Sequence, residues 1–320
     1  MSFEQLRRYR SSALRIALAG LVVASLLAAL APLGWPFELF VHFRWQLDVA
    51  AVLGALAVLM LRDRQLVVFA AGALVLQAQP LIAAWRDPRP TTPPTDCTGP
   101  EFTVATVNLQ FDNLARSRAV DWLNAHPADV VVLQEVTHAW ADSLRHDVHG
   151  YPQGRLLTRE DPYGIAVLSR WPILHVTPED YARDGLPSFV VTVLVQDRPV
   201  EVVGLHSHWP VLPSLYASRN RALHAAAAQA RAAKVPVVLA GDLNLTPYAP
   251  AFRGLLDESG LADAFAQRAW RPTWRVSSWL LALPIDHVLV PPSTCVTRAE
   301  IGSATGSDHR PVRVTIRWPQ

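Results

Sequence analysis

The chain has 320 residues, of which 51% are apolar and only 18% charged, and its mean hydropathy is +0.17. A net charge of +2, with 15 glycines, 26 prolines and two cysteines, excludes collagen-like, disordered and disulfide-dense classes. The apolar excess lies in the N-terminal quarter, so the composition separates a membrane-embedded segment from one water-soluble domain.

Three apolar stretches come first: Ala13–Ala31, Trp45–Leu61 and Gln65–Trp85. Roughly 20 apolar residues cross a bilayer core, and a backbone at that depth must satisfy its own hydrogen bonds, so each stretch predicts a membrane-spanning helix. Arg7, Arg8, Arg10 and Arg15 precede the first span, and Arg62 and Arg64 separate the second from the third. The positive-inside rule then puts the N-terminus in the cytoplasm and the rest of the chain on the outer face of a bacterial cell membrane. The basic start and Ala29-Leu30-Ala31 also fit a cleavable signal peptide, which would leave two spans and the same orientation. Asp48, inside the second stretch, falls near its outer end.

The segment 86–100 is proline-rich and lacks apolar periodicity, as expected of an extended spacer. Cys97 and Cys295 could be bridged in an oxidising compartment, or could be two unrelated thiols; spacing does not decide between these. Before Cys97 there are nine basic and six acidic residues, and from Cys97 onward 20 basic and 21 acidic. The soluble part is therefore no basic clamp for nucleic acid.

From residue 101 onward, β-rich runs alternate with helical ones. Strands are expected over Phe102–Asn108, Asp129–Gln134, Gly164–Ser169, Phe189–Val195, Val200–Leu205, Pro236–Ala240, Ile285–Val290 and Pro311–Arg317. Helices are expected over Ala115–Ala125, His138–Arg145, Leu215–Lys234 and Pro250–Gly260. Nearly all-apolar strands imply sheets covered on both faces. Gln196-Asp197-Arg198-Pro199 signals a hairpin, which a purely parallel sheet would not contain, and neither GxGxxG nor a Walker loop occurs.

Polar residues recur at the strand ends: Asn108, Glu135, His206, Asp242 with Asn244, Asp286, and Asp308 with His309. A single such residue is an ordinary strand or turn cap, but six strand ends each carrying a ligand or acid–base group form a pattern. The motifs TVN, LQE, GIAVLSR, GLHSH, GDLN, PTW, IDH and SDHRPV, in this order, resemble the endonuclease/exonuclease/phosphatase superfamily over residues 101–320. The three-span N-terminus resembles a bacterial membrane-anchored branch of it.

The resemblance implies an α+β fold, a four-layer sandwich of two packed mixed β-sheets flanked by helices, here preceded by the transmembrane segment. It implies a divalent-metal-dependent phosphoesterase using Mg2+, or Mn2+ in its place. Glu135, Asn108 and Asp308 fall at metal-binding positions, Asp242 at the water-activating position, with Asn244 beside it. His309 is the expected donor to a phosphoryl oxygen, Asp286 its orienting carboxylate and His206 a second phosphate-binding histidine. His208 reads as a rim residue, although it could take the role of His206; Trp274 reads as packing. Leu243 stands where many relatives carry Phe, and packing should survive that change.

A short spacer favours a lipid-linked substrate, a phospholipid headgroup or a polyprenyl pyrophosphate; extracellular nucleic acid is the alternative, and a catalytically silent membrane-linked binding module a third. The bilayer and a phosphorylated substrate are the expected partners, with no obligate protein partner. The loops 210–214 and 268–284 carry Trp270, Trp274, Trp279, Leu280 and Leu281 and are candidates for touching lipid.

Overall fold

The structure is a computed structural model that describes residues 3–61, 64–86, 97–266 and 271–319. Most of the expected spacer and Trp270 lie outside these residues. The chain forms two compact units, one of N-terminal helices and one of strands and helices.

The helical unit contains α1 (Phe3–Ala29), the short α2 (Glu38–Val41), α3 (Arg44–Leu61) and α4 (Arg64–Arg86). Leu18, Val58, Leu66 and Ala70 form its apolar centre. Gly54 lets α3 approach α1, since a Cβ there would lie 2.7 Å from Leu18 Cδ2. Around this centre the unit also exposes large apolar side chains and buries a few polar ones. Ile16, Leu53, Leu59, Val68 and Val75 are exposed, while Ser25, Arg44 and Gln77 are buried. Gln77 Nε2 donates to Ser25 Oγ at 2.8 Å, Arg44 donates to the Gln77 carbonyl, and Arg44 pairs with Asp48 at 3.2 Å. Among the described residues one helix, Ser12–Ala29, is long and apolar enough to cross a membrane; Leu66–Ala78 is a shorter apolar stretch.

The second unit runs β1 (Glu101–Asn108), α5 (Arg116–Ala125), β2 (Val130–Gln134), α6 (His138–Asp147), β3 (Gln153–Leu157), β4 (Ile165–Ser169), β5 (Ile173–Glu179), β6 (Ser188–Val195) and β7 (Arg198–His206). It continues through α7 (Pro213–Ala232), β8 (Val237–Asp242), α8 (Pro250–Ser259), β9 (Ala262–Asp263), β10 (Asp286–Val290), β11 (Cys295–Ile301) and β12 (Val312–Arg317). Two six-stranded sheets result, ordered β11-β12-β1-β2-β4-β3 and β5-β6-β7-β8-β10-β9. Only β1/β2 and β7/β8 pair in parallel, each across a helical connection, and the other pairs are antiparallel. This is the expected α+β sandwich of two mixed sheets.

Period-two alternation assigns the two faces of each strand. Phe102, Val104, Val130 and Val132 meet Val200, Val202, Val238, Ala240, Val288 and Val290 between the sheets. Ala105, Val107, Val131 and Leu133 point the other way, onto Val120, Leu123 and Trp140 of α5 and α6. The expected hairpin is present with a turn of only Gln196-Asp197, both at positive φ (47° and 66°), which suits the twist of two antiparallel strands. Strands β3, β5, β9 and β11 were not expected from the sequence. β3 and β11 are edge strands with several exposed positions and no sustained apolar alternation, β5 carries Pro178, and β9 has two residues.

Cys97 and Cys295 form a disulfide with Cα atoms 5.9 Å apart, tying the start of the domain to edge strand β11. The closed loop is long, with a sequence separation of 198. Replacing both cysteines by alanine should therefore cost about 2–5 kcal/mol of stability. Urea unfolding of the oxidised parent and the double variant measures this, and hydrogen exchange should show β11 losing protection first.

Candidate active site

The inward face of the central strands β1, β7, β8 and β10 is apolar apart from Thr106, and turns polar at the end of β1, β7 and β8 and at the start of β10. Asn108 follows Phe102, Val104 and Thr106 on β1; His206 follows Val200, Val202 and Gly204 on β7; Asp242 follows Val238 and Ala240 on β8; Asp286 precedes Val288 and Val290 on β10. Register aligns these ends, with His206 opposite Asp242 and Asp242 opposite Asp286. The site is therefore the polar end of the layer between the sheets. Gly241 makes the register possible, because a Cβ there would sit 1.8 Å from the Leu205 carbonyl oxygen.

Three residues at this end hold left-handed backbone without being glycine: Gln110 (φ 58°), Glu135 (φ 62°) and Asn244 (φ 45°). Such conformations cost energy and collect at functional sites. The turn at Glu135, just past β2, lets its carboxylate accept from Asn108 Nδ2 and from the Phe111 N–H, both at 2.9 Å. Asn108 Nδ2 also donates to Asp242 Oδ2 at 3.1 Å, and its Oδ1 accepts the Gln110 N–H at 3.0 Å. As placed, Asn108 thus bridges two carboxylates through its amide nitrogen, the face opposite to the oxygen a metal would use. Asp242 Oδ1 accepts the Asn244 N–H at 2.9 Å, and Asn244 Nδ2 donates to the Ser207 carbonyl at 2.9 Å.

His309 sits at the centre. Its Nδ1 is 2.9 Å from Asp286 Oδ2, and its Nε2 is 3.7 Å from Asp242 Oδ2 and 3.9 Å from Asp308 Oδ1. Burial alone would lower its pKa, but Asp286, Asp242 and Asp308 together lift it to about 10, so the ring is a cation at neutral pH. Burial, with the Asp286 charge beside it, pushes Asp242 up to about 8. Burial also raises Glu135 against the bonds it accepts from Phe111 and Asn108. His206, with Nε2 3.6 Å from Asp242 Oδ2, is pushed down to about 3 by burial and by the His309 charge, and is neutral. Asp308 is the open member, its side chain 41% exposed.

All eight residues expected from the sequence converge here. Several supporting residues were not foreseen. Thr273 Oγ1 accepts the Asp286 N–H at 3.1 Å; Ser307 Oγ donates to the Asn108 carbonyl at 2.9 Å; Gln110 Oε1 accepts the Asp308 N–H at 2.8 Å. Trp274 does more than pack, since its Nε1 donates to Asp308 Oδ2 at 2.9 Å. His208 bonds Tyr163 Oη at 3.0 Å and faces Asp184 at 3.3 Å. Thr273 and Ser307 lie inside the PTW and SDHRPV motifs, but only their hydrogen bonds reveal the roles.

Four carboxylates face one cationic imidazole, and Asp286 Oδ1 is buried with no hydrogen-bond partner among the described residues. Ligand atoms of Asp242, Asp286 and His309 lie within 4.8 Å of one another. An oxygen-rich, over-negative cluster of this kind fits a hard divalent cation.

Residues 105–309 match the model of the Endonuclease/Exonuclease/phosphatase family. No curated protein matches the sequence. An endonuclease/exonuclease/phosphatase from Beutenbergia cavernae is 25% identical with a TM-score of 0.55, covering 68% of this chain and 72% of that one. A humanized D. rerio TDP2 is 18% identical with a TM-score of 0.59, covering 68% and 99%. Sphingomyelinase C from Streptomyces griseocarneus is 21% identical with a TM-score of 0.50, again covering 68% and 99%. The last two show a shared fold.

Both shifted groups give metal-free protein the same pH dependence. Asp242 has a folded pKa of about 8 against an ordinary 3.8, so its contribution is complete below about 4 and lost as pH rises through about 8. His309, at about 10 against 6.5, contributes fully below about 6.5 and is lost as pH rises through about 10. In EDTA, stability should therefore fall with rising pH across this window. Asp242→Asn should flatten the lower part and His309→Gln the upper, as read from urea unfolding at pH 5, 7 and 9.

Proposed function

The chain belongs to the endonuclease/exonuclease/phosphatase family and is a metal-dependent phosphoester hydrolase; from that premise we propose that it cleaves a phosphodiester, phosphomonoester or pyrophosphate bond in a membrane-lipid headgroup or polyprenyl pyrophosphate. The observation that carries the chemistry is the buried Asp286–His309–Asp242 array beside Glu135 and Asn108.

Glu135 and Asp308, with Asn108 after rotation of its amide, would hold the cation; Mg2+, or Mn2+ in its place, supplies neutralisation of phosphoryl charge when bound. With the charge of the cluster balanced by a cation, Asp242 would be a carboxylate and would take a proton from the attacking water, oriented by the hydrogen bond from the Asn244 N–H. The water oxygen forms the new bond to phosphorus, and the ester oxygen opposite leaves with the electron pair. His309, kept cationic by Asp286, donates to a phosphoryl oxygen as charge grows on it. Neutral His206 offers a second donor without adding charge.

Several features support anchoring in the cell membrane by three helices with the domain outside. The helices expose large apolar side chains and turn Ser25, Arg44 and Gln77 inward, the arrangement a lipid environment favours. The Cys97–Cys295 disulfide suits an oxidising compartment outside the cytoplasm. The near-balance of charge from Cys97 onward suits a lipid headgroup better than a nucleic-acid backbone.

The test is hydrolysis by full-length protein in liposomes with Mg2+ or Mn2+. Phospholipids, a polyprenyl pyrophosphate, plasmid DNA and bis-p-nitrophenyl phosphate are each offered. EDTA-sensitive turnover of a lipid is expected, with Asp242→Ala or His309→Ala lowering it by about 10²–10⁴-fold. Preference for DNA would replace the lipid reading with a nuclease. No turnover of any substrate would leave a silent binding module.

A further inference from the structure

Exposed large apolar side chains are scattered singly on most soluble surfaces. In this domain they are concentrated. Among the described residues from Cys97 onward, ten large hydrophobics are exposed, and eight of them lie on three loops at the catalytic end. Phe111 and Leu114 (95% exposed) follow Asn108; Trp209 and Leu212 follow His206; Trp279 (78%) and Leu280 lie on the loop that springs from Trp274.

The third loop is rooted in the site itself. Trp274 pairs through its backbone with Leu283 on one side and is bridged to His309 on the other, while the Val276 N–H donates to the Asp308 carbonyl at 3.1 Å. Trp274 also holds Asp308 through its indole and meets the Trp209 ring edge-on at 5.9 Å, joining the second loop to the third. Phe111, on the first loop, donates its N–H to Glu135. The apolar side chains thus surround the catalytic mouth.

We propose that these three loops form a collar that enters the surface of a lipid bilayer, so that the headgroup phosphate is taken from the membrane and not from solution. This rests on the lipid reading above. A bilayer is favoured over a protein partner for two reasons. Tryptophan with leucine is the composition that settles at the boundary between headgroups and acyl chains. The domain is also tethered: only ten residues, 87–96, separate Arg86 of α4 from Cys97. Ten residues span at most about 35 Å when fully extended, which limits how far the domain can stray from its anchor.

The experiment uses full-length protein in liposomes of phosphatidylethanolamine and phosphatidylglycerol. Both native cysteines are bonded to each other, so Trp279→Cys, Leu212→Cys and Leu174→Cys each introduce a single site for an environment-sensitive label. Leu174 is exposed but stands on β5, outside the three loops. Doxyl-lipid quenching at least twofold stronger at positions 279 and 212 than at 174 is expected. Equal quenching at all three, or none, would overturn the collar, as would quenching replaced by label-to-label crosslinking between copies. Hydrolysis of soluble bis-p-nitrophenyl phosphate, run alongside, separates the two ideas. Trp279→Ser with Leu280→Ser should keep that activity within about twofold. Loss of quenching with intact hydrolysis rejects the collar alone, whereas absent hydrolysis in the parent rejects the enzyme reading whatever the label shows.

Discussion

Negative charge gathered at one end of the layer between the sheets is the constraint on which this domain depends. Glu135, Asp242, Asp286 and Asp308 surround one imidazole, and three of the groups involved, Asp242, Asp286 and His309, are almost fully buried. Isolated ionised carboxylates in such a place would be very unfavourable. The molecule answers with protonation and with fixed donors. Asp242 keeps its proton toward neutrality, His309 keeps its charge, and Asn108, Asn244 and Phe111 aim N–H groups at the carboxylates. What remains is an excess of negative charge that a divalent cation can balance, which makes binding and catalysis two consequences of one imbalance.

The position of the imbalance follows from strand geometry. A side-chain period of two sends alternate residues of β1, β7, β8 and β10 into the same inter-sheet layer, and register brings the last inward position of β1, β7 and β8 and the first of β10 to the same end. A slip of one residue in any of them would turn a side chain of the site onto the opposite face and a core residue with it. Glu135 is the exception that the backbone repairs. It sits one position past the inward Gln134, and only its left-handed conformation brings the carboxylate back toward Asn108.

Much of this was legible in the sequence, and for identifiable reasons. The eight chemical residues stand at the ends of apolar runs such as VVVL and VVLA, where a polar side chain contrasts with everything before it. Strands without that contrast were missed: β11, CVTRAEI, is half exposed and reads as a loop. Contacts across long separations were also out of reach. That Trp274 holds Asp308, 34 positions away, depends on the two sheets closing on each other, and that Thr273 steadies Asp286 depends on how the segment before β10 folds back. In the helical unit, hydropathy marked the apolar stretches, but the inward pairing of Ser25 with Gln77 needed the packed helices.

Trp274 shows why such contacts change the interpretation of a residue. Taken alone, an indole beside a buried histidine is packing. Here its one polar atom is committed to Asp308, the most exposed carboxylate of the cluster and one that must keep a defined orientation despite facing solvent. Its backbone is held between Leu283 and His309, and its ring meets Trp209. The loops that carry Trp209 and Trp279 are therefore joined to Asp308 through the contacts of one ring, Trp274.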